Sequence, residues 1–269
     1  MIDEVKTEQE QLTDEKITID PALLDEPVKA GVLFGRKKTK THPRMQKYIF
    51  ATRNEIEIID VVQTIDLVNK AGEFLKGVVG KGGLILFVGA TPAAKDPVRD
   101  LAKKFGYPYV VERWLGGTIT NFKTLHGRIQ HFIKLKADRD SGKLEKYTKK
   151  ERIQFDKEIT RMTMLFGGLE ALQKLPDTVV IVGASSHLTA IREARNVKIP
   201  VVCLMSSDSD PDLVNYVIPG NDRSRPSIAW VLEKLEKAIE EGKAGANIPV
   251  EPKTDNANPS VGGGQSNTN

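Results

Sequence analysis

From residue 56 onward, short and almost uninterrupted apolar runs alternate with amphipathic stretches, and this rhythm narrows the admissible folds more than any other feature of the chain. The runs are Ile56 to Ile59, Leu84 to Val88, Tyr107 to Val111, Val179 to Val182, Val201 to Met205 and Tyr216 to Ile218. Helical spacing occupies intervals such as Thr64 to Val79, Ala93 to Phe105 and Leu188 to Val197. A strand that is apolar at consecutive positions must bury both of its faces, the condition of a parallel sheet covered by helices on each side. The expected fold is a doubly wound, mainly parallel α/β sandwich of three layers, flavodoxin- or Rossmann-like.

Residues 122–175 break the rhythm. Phe122, Leu125, Ile129 and Phe132 follow a three-four-three spacing. Phe155, Ile159, Met162, Phe166 and Leu169 follow a four-three pattern beyond a polar break that runs from Asp138 to Lys143. Such spacing is a coiled-coil seam, and the break lets two helices fold back as an antiparallel hairpin inserted into the core. Thr148-Lys-Lys-Glu151 has the form of a capping box for the return helix. Lys123, Arg128, Lys134, Lys136, Lys149, Lys150 and Arg152 decorate the arms, which suit either partner docking or RNA contact.

The expected organisation is an acidic, flexible N-terminal tail (1–27), an α/β core (28–120 and 176–241), the hairpin (121–175) and a Gly/Asn-rich disordered tail (242–269). Residues 1–26 hold nine acids against Lys6 and Lys16, so an overall charge of +4 leaves +11 on the remainder. An acidic tail on a basic body accompanies polyanion binding. The single cysteine, Cys203, excludes a disulfide framework and suits a reducing compartment. No apolar run is long enough to span a bilayer, and the N-terminus carries acids where a secretory signal is basic and then apolar, so a soluble cytoplasmic protein is expected.

The basic excess is concentrated early. Arg36, Lys37, Lys38, Lys40, Arg44, Lys47 and Arg53 fall in a segment with no Asp or Glu between Arg36 and Asn54, and Phe34, Tyr48 and Phe50 accompany them. Without acidic neighbours, these cations have phosphates as natural counterparts, and the aromatics can pack on sugars or bases. A solvated basic loop is the other reading.

At Arg113-Trp114-Leu115-Gly116-Gly117-Thr118-Ile119-Thr120-Asn121-Phe122 a strand ends and the charged arm begins. Paired glycines let the chain turn sharply through positive φ. Thr118, Thr120 and Asn121 are suited to capping the next helix. Taken alone, the stretch reads as a glycine turn with a buried tryptophan anchor.

The order of residue types in that stretch closely resembles the signature of the bacterial small-subunit ribosomal protein S-two (S2) family. The segment from Met45 through Tyr48, Phe50, Arg53 and Asn54 to Asp60 resembles the family's approach to its first core strand. Phe166-Gly-Gly-Leu169 with Leu175-Pro176-Asp177 resembles its exit from the helical hairpin. Ser209-Asp-Pro-Asp212 and Ile218-Pro-Gly-Asn-Asp222 match its last strand connections, and the likeness extends over about Val28 to Glu241. The resemblance implies a noncatalytic structural protein between head and body at the back of the small subunit. It further implies binding to small-subunit ribosomal RNA and neighbouring proteins, and support for recruiting the RNA-binding ribosomal protein S-one (S1). The candidate RNA contacts are then Arg36, Lys37, Lys38, Lys40, Arg44, Lys47 and Arg53, with Arg113 at the turn and Lys123 at the base of the arm. Arg113 and Trp114 serve chiefly to position the turn.

The chain departs from the family pattern at several positions. Leu33 and Arg36 stand where many members have histidines, and Thr91-Pro92 where basic residues are usual. Gly183 replaces a common aspartate, and Arg223-Ser-Arg-Pro226 follows Asn221-Asp222 in place of acidic and small residues. These changes alter the groups available to the metal site of some members and to local RNA or protein contacts.

A nucleotide- or sugar-phosphate-binding enzyme on the same core is the competing reading, because doubly wound sheets place ligands at the carboxyl ends of their strands. The residues give it little. Ala90-Thr-Pro-Ala93 after the second run lacks both the dinucleotide glycine fingerprint and the Lys-Ser/Thr of a P-loop, and Gly80-Lys-Gly-Gly83 precedes a strand. Asp208, Asp210 and Asp212 open like a calcium loop, but Leu213 takes the place of the turn glycine and Pro219 that of the closing glutamate, so a solvated turn is expected. His126 and His131 are not an i, i+4 pair; they and His42 and His187 read as surface or packing histidines, and one cysteine closes no zinc set. No nucleophile–base set emerges, and no cofactor, metal, membrane or small-molecule substrate is expected.

Overall fold

The computed structural model describes residues 21–246, so most of the expected N-terminal tail (1–20) and residues 247–269 of the expected C-terminal tail lie outside the described residues. The chain enters through helix α1 (Pro21–Lys29) and three short strands, β1 (Phe34–Lys37), β2 (Ile49–Arg53) and β3 (Ile56–Ile59). These strands form their own antiparallel sheet in the order β1-β3-β2. The run Ile56 to Ile59 is therefore not a strand of the parallel sheet, and the basic segment before it is not a plain loop. Its strands are short and largely exposed outside β3, so they lack the apolar continuity that marks a buried strand.

Asp60 closes β3 and opens helix α2 (Val61–Gly80), its carboxylate accepting from Val62 N at 2.9 Å and Gln63 N at 3.3 Å. The chain continues through β4 (Ile85–Val88), α3 (Lys95–Phe105), β5 (Tyr109–Val110), α4 (Phe122–Asp140), α5 (Lys149–Phe166), β6 (Thr178–Val182), α6 (Leu188–Asn196), β7 (Val201–Met205), β8 (Tyr216–Pro219) and α7 (Arg225–Ala246). Strands β4 to β8 pair in parallel in the spatial order β5-β4-β6-β7-β8, the doubly wound arrangement expected from the sequence.

Alternation along each strand divides the core in two. Leu86, Val88, Val179, Ile181 and Cys203 face one layer, where α4, α5 and α6 contribute Ile129, Phe132, Ile159 and Ile191. Ile85, Phe87, Val180, Val202 and Leu204 face the other, where α2, α3 and α7 contribute Leu75, Val98, Val231 and Leu235. Burying a side chain of this size contributes roughly 1.5–3 kcal/mol, so both faces of the sheet are held by their helices. Helix α7 begins at Arg225 and runs past Gly242, where the sequence reading starts the tail. Gly242 is buried against α2, and a Cβ there would meet Lys76 O at 2.8 Å.

Helices α4 and α5 bury Leu125, Ile129, Phe132, Ile159 and Phe166 of the apolar pattern, and the Phe132 and Phe166 rings lie 6.4 Å apart. The capping box forms: Thr148 N donates to Glu151 Oε2 at 2.9 Å, and Glu151 N donates to Thr148 Oγ1 at 3.4 Å. The first two turns of α5 are largely exposed.

Candidate nucleic-acid interface

The small antiparallel sheet is fastened to the carboxyl edge of the parallel one. Gly35 makes this approach feasible, because a Cβ there would sit 2.9 Å from Glu57 O and 3.0 Å from Ser207 Oγ. Arg36 N donates to Ser207 Oγ at 2.8 Å, and His42 N donates to Ser207 O at 2.8 Å. The Arg36 guanidinium, 14% exposed, then reaches Asp208 Oδ2 at 3.2 Å and Asp222 Oδ1 at 2.5 Å. Asp222 is 3% exposed; burial pushes its carboxyl up, against the pull of Arg36. Arg44 pairs with Asp210 at 2.9 Å and Asp212 at 3.1 Å.

Two expectations change here. The acidic cluster is not merely a solvated turn: it supplies the counter-charges that the basic segment lacks in its own stretch of sequence. Arg36, held between two carboxylates and mostly buried, is a structural tie, and Arg44 is partly engaged in the same way. Lys37, Lys38, Lys40, Lys47 and Arg53 are exposed, and among the described residues no carboxylate lies within 4.0 Å of their charged nitrogens. The antiparallel sheet and the turns between its strands bring these five together. Arg113 and Lys123 are also exposed and without such a partner, but they belong to the loop after β5 and to the first turn of α4.

The turn that carries the family signature is organised by a residue outside it. Glu193 of α6, 7% exposed, accepts from Trp114 Nε1 at 3.0 Å, Gly117 N at 2.8 Å, Ile119 N at 3.1 Å and Thr120 N at 3.3 Å. Burial alone would raise its carboxyl, but these donors outweigh it and hold the group below the usual glutamate range. Trp114 is thus a half-buried anchor whose indole is bonded, and Gly117 takes φ +88° beneath the carboxylate. A signal was present in the sequence: Glu193 lies three residues beyond Ala190, on the face that buries Ile191 and Ala194.

His187 is a bridge rather than an ordinary packing histidine. Ala90 N donates to its Nε2 at 3.0 Å, so Nδ1 carries the proton and donates to Gly183 O at 2.8 Å. Its ring therefore ties the carboxyl ends of β4 and β6, and burial holds its pKa below the usual value. Gly183 takes φ +87°, a conformation that L side chains rarely adopt, so a side chain there would be strained although the nearest atom, Asp222 Oδ2, lies 3.4 Å from where a Cβ would stand. A cleft of about 690 Å³ opens beside these strand ends, lined by Thr91, Arg113, Trp114, Ser186 and His187. On the opposite edge of the sheet Asp177 accepts from Leu84 N at 2.7 Å, and this bond lowers its pKa. Among the described residues no group of three or more His, Cys, Asp or Glu is arranged to hold a metal ion.

Comparison with known proteins finds relatives along most of the chain. The family described as Ribosomal protein S2 matches residues 28–242. The small ribosomal subunit protein uS2 of Thermus thermophilus is 39% identical over 224 residues, covering 83% of this chain and 88% of the relative. The protein of the same name from Mycobacteroides abscessus is 38% identical over 213 residues, covering 79% and 77%. That from Salinispora tropica is 40% identical over 216 residues, covering 80% and 73%.

Proposed function

The chain belongs to the ribosomal protein S2 family, and from that premise we propose that it binds small-subunit ribosomal RNA through the exposed cations of its antiparallel sheet. As a member of a structural ribosomal family it serves translation and is not an enzyme, so the nucleotide- or sugar-phosphate-enzyme reading is set aside. One observation carries the RNA reading. The arginines that face carboxylates, Arg36 and Arg44, join the small sheet to the core, whereas Lys37, Lys38, Lys40, Lys47 and Arg53 are exposed with no carboxylate partner among the described residues. Such lysines displace counterions from phosphate and fix orientation on the RNA backbone.

Arg113 at the turn and Lys123 at the start of α4 extend the contact set in this reading. Helices α4 and α5 act as a coiled-coil arm inserted into the core, a lateral surface for neighbouring small-subunit proteins. Support for recruiting ribosomal protein S1 belongs to the same reading, as do a position at the back of the subunit between head and body and a ribosome-bound location in the cytoplasm. No helix among the described residues is long and apolar enough to cross a membrane. The test is sedimentation of tagged protein through a sucrose gradient: co-migration with small subunits supports the proposal, and recovery only in the free fractions at the top overturns it.

A further inference from the structure

Between the antiparallel sheet and the turns that join its strands lies an open cavity of about 440 Å³, lined among others by Lys38, Thr41, Gln46, Phe50, Thr52 and Glu57. Glu57, 4% exposed, lies directly opposite Thr52 in the β2–β3 ladder, so both side chains leave the same face. Thr52 Oγ1 donates to Glu57 Oε2 at 2.7 Å, and Thr41 Oγ1 reaches Oε1 at 3.5 Å. Among the described residues no basic group lies within 4.0 Å of this carboxylate. A buried carboxylate supported only by hydroxyls retains acceptor capacity, above all on Oε1, and is stabilised by further donors.

The rim supplies a flat surface. The register between β2 and β3 shifts between Ile49 and Ala51, which makes Phe50 the extra residue of a bulge. Bulges re-aim side chains beside sites, and at this one Phe50 is 78% exposed and lines the cavity. An aromatic so exposed, among lysines and above an acceptor, has the composition of a base-stacking platform.

Resting on the RNA reading above, we propose that this cavity receives one unstacked guanine, its N1–H and N2 amino group donating to Glu57 while its ring stacks on Phe50. Guanine alone among the four bases presents a ring N–H beside an amino group on its Watson–Crick edge, the adjacent donor pair that a carboxylate accepts. The surrounding charge favours RNA over an arginine-bearing peptide, because Lys37, Lys38, Lys40, Lys47 and Arg53 repel a cationic segment. The lysines hold phosphate without regard to sequence, and Glu57 adds a choice of base.

The test is kethoxal footprinting of small subunits assembled with wild-type protein, Glu57→Gln or Phe50→Ala, since kethoxal adds across N1 and the N2 amino group of an accessible guanine. One guanine protected by the wild type should become about tenfold more reactive in Glu57→Gln subunits, and more reactive with Phe50→Ala, whose exposed site spares the fold. Subunits that contain both proteins yet show no guanine differing between wild type and Glu57→Gln overturn the inference while leaving the RNA reading intact. Subunits that exclude the wild-type protein overturn the RNA reading itself. A carbodiimide cross-link from Glu57 to a lysine of a neighbouring protein would mean that the cavity takes a polypeptide, and would overturn the guanine assignment.

Discussion

Arg36 Nη2 stands 2.5 Å from Asp222 Oδ1, a contact that joins the small antiparallel sheet to the loop after the last parallel strand, 186 positions later. Asp208 completes the arrangement from the loop after β7. The same guanidinium that looked available for phosphate is thereby what orients the strands carrying the available lysines.

Removing one member of a mostly buried ion pair leaves the other charge without compensation. Arg36→Ala should destabilise the protein by about 3 kcal/mol in urea unfolding, and Arg36→Ala with Asp222→Ala should cost clearly less than the two single changes added together. Additive losses would show that the two side chains act independently.

Glu193 receives a tryptophan N–H and three backbone N–H groups, so a side chain that brings its own donor is a poor substitute. Glu193→Gln should cost about 2 kcal/mol and shift Trp114 emission to longer wavelength as the turn loosens. Its carboxyl is depressed below the ordinary value of 4.5. The stability it contributes is therefore fully present above that value and is lost as pH falls through the lower folded one. Acid unfolding of Glu193→Gln should lack this component.

For His187 the sign follows from its lowered pKa: the folded state favours the neutral ring, while the unfolded chain takes up a proton near the ordinary value of 6.5. Stability should hold above that value, decline as pH falls below it, and level off beneath the folded value. Urea midpoints of wild type and His187→Gln between about pH 8 and pH 5 should converge on the acid side, since glutamine does not titrate.

Two glycines beside and within the arm should respond oppositely to alanine. A Cβ on Gly168 would stand 2.2 Å from Tyr109 O, whereas one on Gly127, inside α4, meets nothing within 4 Å. Gly168→Ala should destabilise by about 2 kcal/mol or more through forced displacement of edge strand β5. Gly127→Ala should stabilise by about 0.5–1 kcal/mol through helix propensity. Thermal melts of the two variants read both signs.

Neutralising Lys37, Lys38 and Lys40 together should weaken incorporation into small subunits. It should also reduce the slope of log affinity against log salt by about 0.7–0.9 for each lost phosphate contact. Arg36→Ala should lower that slope far less, because its guanidinium already has carboxylate partners and its loss acts only through the placement of the strands. A salt titration of RNA binding distinguishes the two classes of cation.

The strands of the parallel sheet were legible because Val201-Val202-Cys203-Leu204-Met205 and its counterparts are apolar on both faces, and the Thr148–Glu151 cap because its pattern is local. The antiparallel sheet was not, since Phe34–Lys37 and Ile49–Arg53 are held by pairing to β3 rather than by apolar content. Charge partners were hidden for a related reason. Asp208 lies 172 positions from Arg36, and counting acids near a basic run registers only neighbours in sequence. Glu193 was not singled out in the sequence, because its partners Trp114, Gly117, Ile119 and Thr120 lie more than seventy positions before it. Helix α7 was legible from Ile228, Val231, Leu235 and Ile239, but the sequence reading did not mark it out as an element.

Helix α7 packs along α2, with Ala238 opposite Gly72 and Gly242 seated on Lys76. One of the earliest core helices is thus covered by the final described element. The apolar stripe of Val68, Leu75 and Val79 lies in one buried cluster with Val231, Leu235 and Ile239 of α7, so each helix supplies part of the other's apolar cover. Removing the stretch from Arg225 onward would strip part of that stripe of its cover, so two helices more than a hundred residues apart in the chain depend on each other to stay dry.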